Sequence, residues 1–209
     1  MFLKMSVLKK MMKTAYKGGC LIIGDSPIKE GDDIIMDGYV ISSGWWSFWI
    51  NKENTPKELK AAIIELCGEL PYYEHYFKAS ESLGNQEMIP FTESVHPVQL
   101  FEKAKQNVSI TRAMMTKSGG GVMRLLQNAK TNKVGAINEM IISLIDKGAI
   151  KEEDGEYSPI GPMTREEDYY TWGNNVCYFV VYPIKPLDEE RVSEQTTFFE
   201  SLSTLEIPC

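Results

Sequence analysis

Apolar residues near the start of the chain recur at every third or fourth position, which is the spacing of one face of an α-helix. The positions on that face are Met5, Leu8, Met12 and Ala15. Lysines occupy the other faces and Gly18-Gly19 supplies a stop, so the pattern predicts an amphipathic helix over Leu3–Lys17. A basic helix of this kind can pack on a core or lie on a membrane surface. Core packing is favoured, because strand-like residues follow directly.

Short runs of β-branched and aromatic residues predict the next strands. They are Cys20–Ile23, Ile34–Met36, Tyr39–Ser42 and Trp46–Ile50. Asp37-Gly38 separates two of these runs and predicts a two-residue hairpin, because both turn residues would take positive φ. Ser43-Gly44 predicts a weaker bend.

Tryptophans are concentrated in the last of these strands. Alternation places Trp46 and Phe48 on one face of the sheet and Trp45 and Trp49 on the other. An exposed pair of tryptophans could stack on nucleic-acid bases. Large aromatic side chains more often fill the core of a sheet or cover its back, and this second interpretation is favoured.

The helix predicted over Thr55–Gly68 has the strongest local signals in the chain. Thr55 is the expected N-cap, Pro56 the first helical residue, and Glu58 completes a Thr-x-x-Glu capping box. Gly68 supplies the stop. The apolar stripe that should face the core is Leu59, Ala62, Ile63 and Leu66.

Beyond this helix, helix and strand signals alternate. Leu83-Gly84-Asn85 predicts a turn between short strands, Pro97 begins a helix, and Asn138 caps another that runs through Lys147. The further predicted strands are Val122–Leu126, Lys133–Ile137, Glu156–Ile160 and Val176–Pro183, the first two as a hairpin. The pattern predicts an α+β fold, a mostly antiparallel sheet covered by short amphipathic helices.

Domain organisation follows from composition along the 209 residues. Residues 1–185 are expected to form one α+β domain, with a possible division into halves at about 1–93 and 94–185. Residues 186–209 are acidic and rich in Ser and Thr, and they predict a loosely ordered tail. The four cysteines form no CxxC pair, so reduced thiols are expected. Lysines interrupt the apolar residues at the beginning of the chain, so we expect no signal peptide. We also expect no membrane span and a cytoplasmic protein.

The net charge of −7 is unevenly distributed. One segment is basic and contains no acidic residue, whereas acidic residues outnumber basic ones from Lys151 onward. The candidate nucleic-acid-binding residues of the basic segment are Lys103, Lys105, Arg112, Lys117, Arg124, Lys130 and Lys133. Two ordinary solvated surfaces of opposite sign are the alternative.

Residues suited to catalysis or metal binding are sparse. Only His75 and His96 offer a base, and neither stands in a recognised nucleophile motif, so polar structural roles are expected. Gly119-Gly120-Gly121 lacks the spacing of a phosphate-binding loop. The carboxylate runs at 152–154 and 166–168 predict solvated loops. No catalytic residue, cofactor or metal is predicted.

Several segments resemble a DNA-polymerase sliding-clamp domain. Those similar to its opening are Met5–Met12, Cys20–Ile23 and the Asp37-Gly38-Tyr39 turn, and those similar to its closing strand–helix–strand–strand are Ala136–Asn138, Met140–Ile145, Tyr157–Pro162 and Tyr178–Ile184. The resemblance covers about half of the chain. The resemblance implies a clamp-like fold and a link to DNA. The length of the chain is closer to the two-domain clamps of some phages than to bacterial clamps, which suggests a phage or mobile-element protein. The resemblance transfers no site residue, and Thr55–Gly68 has no counterpart in it.

A short peptide near the end of the chain is also related to sliding clamps. Gln195-Thr196-Thr197-Phe198-Phe199 resembles the Gln-x-x-Leu-Phe peptide by which bacterial proteins dock on clamps. Gln195, Phe198 and Phe199 are therefore candidate partner-binding residues. A tail that folds back on the core is the favoured alternative.

These observations lead to ranked hypotheses. The first is a non-enzymatic accessory protein, clamp-like and linked to DNA, whose partners are duplex DNA or a replication protein and which forms homo-oligomers. The second is an acidic protein-binding module or inhibitor that covers the basic surface of a nucleic-acid-binding partner. An enzyme is third, and it would require a deep pocket that brings His75 or His96 together with carboxylates.

Overall fold

A computed structural model describes residues 1–116, 120–146, 159–183 and 197–209. The helices are α1 (Met5–Lys17), α2 (Lys57–Cys67), α3 (Pro97–Lys103) and α4 (Glu139–Leu144), with a 3₁₀ turn at Glu93–Val95 and helical residues at 197–203. The strands are β1 (Leu21–Asp25), β2 (Ile28–Glu30), β3 (Asp33–Met36), β4 (Gly38–Ser43), β5 (Trp46–Asn51), β6 (Tyr76–Ser80), β7 (Gly84–Met88), β8 (Gln106–Thr116), β9 (Val122–Asn128), β10 (Val134–Asn138), β11 (Ile160–Thr164), β12 (Tyr170–Gly173) and β13 (Cys177–Val181).

Eleven strands form one antiparallel sheet in the order β10-β9-β8-β11-β12-β13-β5-β4-β1-β6-β7, and β2 and β3 form a separate ribbon. The predicted α+β class with a mostly antiparallel sheet is confirmed. The central pairing of β5 with β13 joins a strand from each of the two proposed halves, with Phe48 opposite Phe179.

Helices α1, α2 and α4 cover one face of the sheet. Leu8 of α1, Leu59 of α2 and Leu144 of α4 are each 0% exposed and belong to one continuous apolar cluster. Alternation along β5 sends Trp46 and Phe48 into this cluster, as predicted. Helix α1 lies in the middle and contacts both other helices.

The opposite face carries separate, smaller clusters. Trp49 lies in one of them at 0% exposure, which agrees with the favoured interpretation that it covers the sheet, whereas Trp45 is exposed and the two do not form an exposed pair. Helix α3 and residues 88–98 cover this part of the sheet, where Val98 contacts the same cluster. Farther along, a third cluster forms on β9 and β10 under the C-terminal residues.

The hairpin predicted at Asp37-Gly38 is wrong. Strand β3 pairs with β2, while β4 pairs with β1 and β5, and neither Asp37 nor Gly38 has positive φ. Glycine is required at 38 for another reason: a Cβ there would lie 2.2 Å from the indole of Trp49. The turn that joins β4 to β5 is instead the weaker bend at 43–45.

The prediction for α2 is correct for the C-terminal end of the helix and wrong for its N-terminal end. Gly68 ends the helix with φ of 80°, and the buried residues are Leu59, Ala62, Ile63 and Cys67. The helix begins at Lys57 without a side-chain cap. Thr55 makes no capping box, because Pro56 occupies the N-cap position; the Thr55 hydroxyl instead donates a hydrogen bond to the carbonyl of Asn51.

The β9–β10 hairpin and the Asn138 cap of α4 are confirmed, since Asn138 Oδ1 accepts a hydrogen bond from Met140 N. Helix α4 is shorter than predicted, because Ile145 leaves it to form a bridge with Leu3. The sequence pattern missed β2, β8 and β12 entirely.

Residues 197–209, part of the segment that composition predicted to be a loosely ordered tail, contact the sheet through three apolar side chains. Phe199, Leu202 and Ile207 pack on Met123 and Leu125 of β9 and their neighbours. The backbone is also fixed, since Pro208 O accepts a hydrogen bond from Arg112 N. The expectation for 186–196 lies outside the described residues.

Candidate functional site

The predicted basic residues lie at several places around β8, β9 and β10. Lys103 ends α3, Lys105 precedes β8, and Lys130 and Lys133 lie in the β9–β10 turn. This turn is near Lys105, because Ala129 N donates to Asn107 O. Arg112 and Arg124 lie farther along the two strands, and Lys117 is outside the described residues.

Two of these cations are already paired with carboxylates. Arg124 donates two hydrogen bonds of 2.7 Å to the carboxylate of Glu139, a bidentate pair that ties β9 to the start of α4. Lys133 Nζ lies 3.6 Å from Glu167 Oε2. The remaining described members, Lys103, Lys105, Arg112 and Lys130, are exposed but lie on different elements.

A more regular basic surface lies on α1. Because the core side of α1 is taken by Leu8 and its neighbours, the lysines point to solvent on the other side. They are Lys9, Lys10, Lys13 and Lys17, all exposed, and together we call them the α1 lysine stripe. Lys10, Lys13 and Lys17 follow the spacing of one helix face.

The charge of the stripe is not neutralised within the described part of the chain. Helix α1 has no acidic residue, and Asp25 is the first acidic residue in the sequence. Within 1–116, 120–146, 159–183 and 197–209, the ion pairs involve other cations, such as Lys52 and Arg124. The sequence predicts α1 as a lysine-rich helix, but the candidate nucleic-acid-binding residues lie in the longer acid-free segment 103–133.

A cleft of about 400 Å³ lies beside the stripe, between α1 and α4 and the β4–β5 turn. Its walls are mostly apolar side chains, including Met11 of α1 and Met140 of α4. Trp45 lines it and is 53% exposed. Thr14 and Asn138 contribute polar groups.

A second cavity, of about 210 Å³, contains a histidine that the sequence did not single out as buried. His96 is 8% exposed, and its Nε2 lies 2.9 Å from the hydroxyl of Ser26, 70 positions earlier in the chain. Asp25 and Glu74 also line this cavity. The cavity thus places a histidine near two carboxylates, but it is small and open to solvent, whereas the enzyme hypothesis required a deep pocket.

The hydrogen bonds of His96 determine what this pair can do. Val98 N donates to His96 Nδ1, so Nδ1 is an acceptor and the ring proton lies on Nε2. Nε2 then donates to Ser26 and has no lone pair with which to take the proton of its hydroxyl. Burial lowers the pKa of His96 to about 4, which keeps the ring neutral. In this arrangement His96 caps α3 and holds Ser26.

The carboxylate of Asp25 is also committed to structure. Lys52 Nζ forms ion pairs with both Asp25 and Asp37, at 2.8 Å from the latter. Asp25 is 1% exposed, so this pairing compensates a buried charge. Trp49 Nε1 donates to the carbonyl of Ser26 at 2.8 Å and fixes the same loop.

The partner-binding candidates at the C-terminus are placed differently from one another. Phe198 is 45% exposed. Phe199 packs on the β9–β10 cluster and is not a free anchor. Gln195 lies outside the described residues. The part that is described therefore corresponds to the alternative in which the segment folds back on the core.

Comparisons with protein-family models, with curated proteins and with solved structures give no match to this chain. Across the described ranges, no three His, Cys, Asp or Glu side chains are grouped so that they could hold a metal ion. None of the helices described above has the length and apolar composition needed to cross a lipid bilayer.

Proposed function

We propose that the protein is a non-enzymatic accessory protein of the cytoplasm that binds duplex DNA, with the α1 lysine stripe as its contact surface. The observation that carries the proposal is a row of exposed lysines on the central helix, with no carboxylate on that helix. The resemblance of several segments to sliding-clamp domains agrees with it and makes a clamp-like role on DNA part of the same proposal.

The dimensions of the stripe suit a phosphate backbone. From Lys9 to Lys17 the helix rises by about 12 Å, which corresponds to roughly three to four base pairs of duplex. Phosphate contacts of this kind carry no sequence information, so we expect binding to be independent of base sequence. The helix is rigidly held, since α2 and α4 flank it and Leu8 and Met12 are fully buried.

The proposed interaction should weaken as salt is added, because it depends on local contacts between lysines and phosphates. With a net charge of −7, the chain as a whole repels DNA, and the attraction must come from a local basic surface. Lysines that neutralise phosphates release condensed counterions, and each adds about 0.9 to the slope of log affinity against log salt concentration.

The test compares two triple variants of equal charge. Lys10→Gln, Lys13→Gln and Lys17→Gln remove the centre of the stripe, whereas Lys103→Gln, Lys105→Gln and Lys130→Gln remove exposed cations of the basic segment. Fluorescence anisotropy with a labelled duplex is recorded over a series of salt concentrations. We expect the first variant to lower the salt slope by about 2.7 and the second to change it little.

The opposite ranking would contradict the assignment to α1 and would favour the basic segment 103–133. Binding that is absent, or that does not change with salt, would contradict the DNA-binding proposal as a whole. Circular dichroism of both variants provides the control for folding.

A further inference from the structure

We propose that the cleft between α1 and α4 binds an unpaired base of a single-stranded nucleic acid. In this site the base stacks on Trp45, and the adjoining phosphates contact lysines of α1. The inference rests on the proposed function, because it uses the same lysines, but it names a different ligand. The site is the cleft of about 400 Å³ described above.

Trp45 is held so that its ring is available. It lies in the short turn between β4 and β5, and its carbonyl accepts a hydrogen bond from Tyr182 N at 3.0 Å. The backbone is therefore fixed to the end of β13, while about half of the residue is exposed beside the cleft. An anchored, half-exposed indole at the edge of a cleft can stack on any base, since every base has a π-face.

The cleft offers the remaining groups that a base requires. Its volume is within the range of small-ligand pockets, and Met11 and Met140 provide apolar walls for a planar ring. Asn138 uses its Oδ1 to cap α4. The Nδ2 amino group of the same side chain can then donate to a carbonyl on the edge of a base.

The position of the lysines favours a polyanion over an uncharged ligand. Thr14 lines the cleft, and Lys10 and Lys17 are its neighbours at i−4 and i+3 on the exposed surface of α1. Positive charge is thus adjacent to the apolar walls, as in sites that bind a base and its phosphates together. A base inside a duplex is stacked and paired, so only an unpaired base can enter.

The test measures anisotropy with a fluorescent 12-nucleotide oligothymidine and with a 12-base-pair duplex. We expect Trp45→Ala to weaken binding of the oligothymidine about tenfold, because a stacking contact is lost, and to leave duplex binding unchanged. Trp45→Phe should retain most of the affinity for the single strand. Tyr73→Ala is the matched control, because Tyr73 is also 50% exposed but does not line the cleft.

The outcomes separate this inference from the proposed function. If Trp45→Ala has no more effect on the oligothymidine than Tyr73→Ala, the base site is wrong, while salt-dependent duplex binding would still support the lysine stripe. If neither nucleic acid binds, both proposals fail. Displacement of the oligothymidine by an acidic peptide with an aromatic residue, at lower concentration than by a second oligothymidine, would assign the cleft to a protein partner and overturn the inference.

Discussion

On its helix-covered side the sheet contacts one continuous apolar cluster that includes Leu21 of β1 and Phe179 of β13, whereas the opposite side is divided among small separate clusters. The buried polar groups that the structure describes at Ser26, His96 and Gln127 belong to this second side or to its covering segments. The first face is held mainly by apolar packing, and the second by specific hydrogen bonds between distant parts of the chain.

On the first face, the residues that stabilise the fold are different from the residues proposed to bind a partner. A helix whose inner side is buried in a continuous cluster tolerates changes on its outer side, because those side chains make few contacts. The exposed lysines of α1 can therefore be changed without unfolding the protein.

The largest expected effect is the truncation of Leu8. Leu8 is 0% exposed in the middle of the continuous cluster, so Leu8→Ala should lower the free energy of unfolding by about 2–5 kcal/mol. Leu202→Ala is the control on the opposite face; Leu202 is only partly buried, and we expect a loss of about 1 kcal/mol. Urea denaturation measures both, and equal losses would contradict the contrast between the faces.

Acid should destabilise the second face through His96. Its pKa is lowered by burial to about 4, so below the ordinary value of 6.5 the unfolded chain binds a proton that the folded protein does not accept. Stability is fully present above pH 6.5 and falls as the pH drops to 4, by about 3 kcal/mol in total. Urea denaturation at a series of pH values measures this dependence.

His96→Asn isolates this contribution, because asparagine can still cap α3 but does not titrate. The difference in unfolding free energy between the wild type and His96→Asn should vary with pH only between 6.5 and 4. His75→Gln, which removes the other histidine, is the control. A difference that is constant with pH would show that His96 is not buried in its neutral form.

A smaller effect is expected from Gln127, which links β9 to the C-terminal residues. Its Nε2 donates to Leu205 O at 2.7 Å, and its Oε1 accepts from Ile207 N at 3.0 Å. Gln127→Ala should cost about 1 kcal/mol, because two hydrogen bonds to partly exposed C-terminal residues are lost. Limited proteolysis should then cut the C-terminal residues faster, and unchanged protection would contradict this role.

The smallest expected change in stability belongs to the lysine stripe. The triple variant at Lys10, Lys13 and Lys17 should unfold within about 0.5 kcal/mol of the wild type, because these side chains are exposed. Thermal and urea denaturation measure this. A large loss would mean that the lysines stabilise the fold, and reduced DNA binding by the variant would then have a different explanation.

The sequence was sufficient where structure depends on local signals. Gly68 ends α2 because a left-handed residue is needed there, and the β9–β10 hairpin follows from two apolar runs and a polar turn. The buried side of α1 was also predictable from its periodicity. In each of these cases the residues that determine the element lie within it.

Features that depend on distant partners could not be predicted. Strand β8 is polar over much of its length, and it is specified by pairing with β9 and β11 rather than by alternation. Asp37-Gly38 has the composition of a hairpin turn, but the pairing of β4 with β1 and the space taken by Trp49 determine its conformation. The contact of Ser26 with His96 joins segments 70 positions apart, and no local pattern indicates it.

Strand β7 is a solvent-exposed edge strand and forms one rim of the sheet. It is the last strand in the order and pairs with β6 through Gly84–Met88, whose first four residues are exposed. Glycine and polar side chains, with the charge of Glu87, make this rim a poor template for a foreign strand. This rim of the sheet can thus face solvent with a low tendency to aggregate.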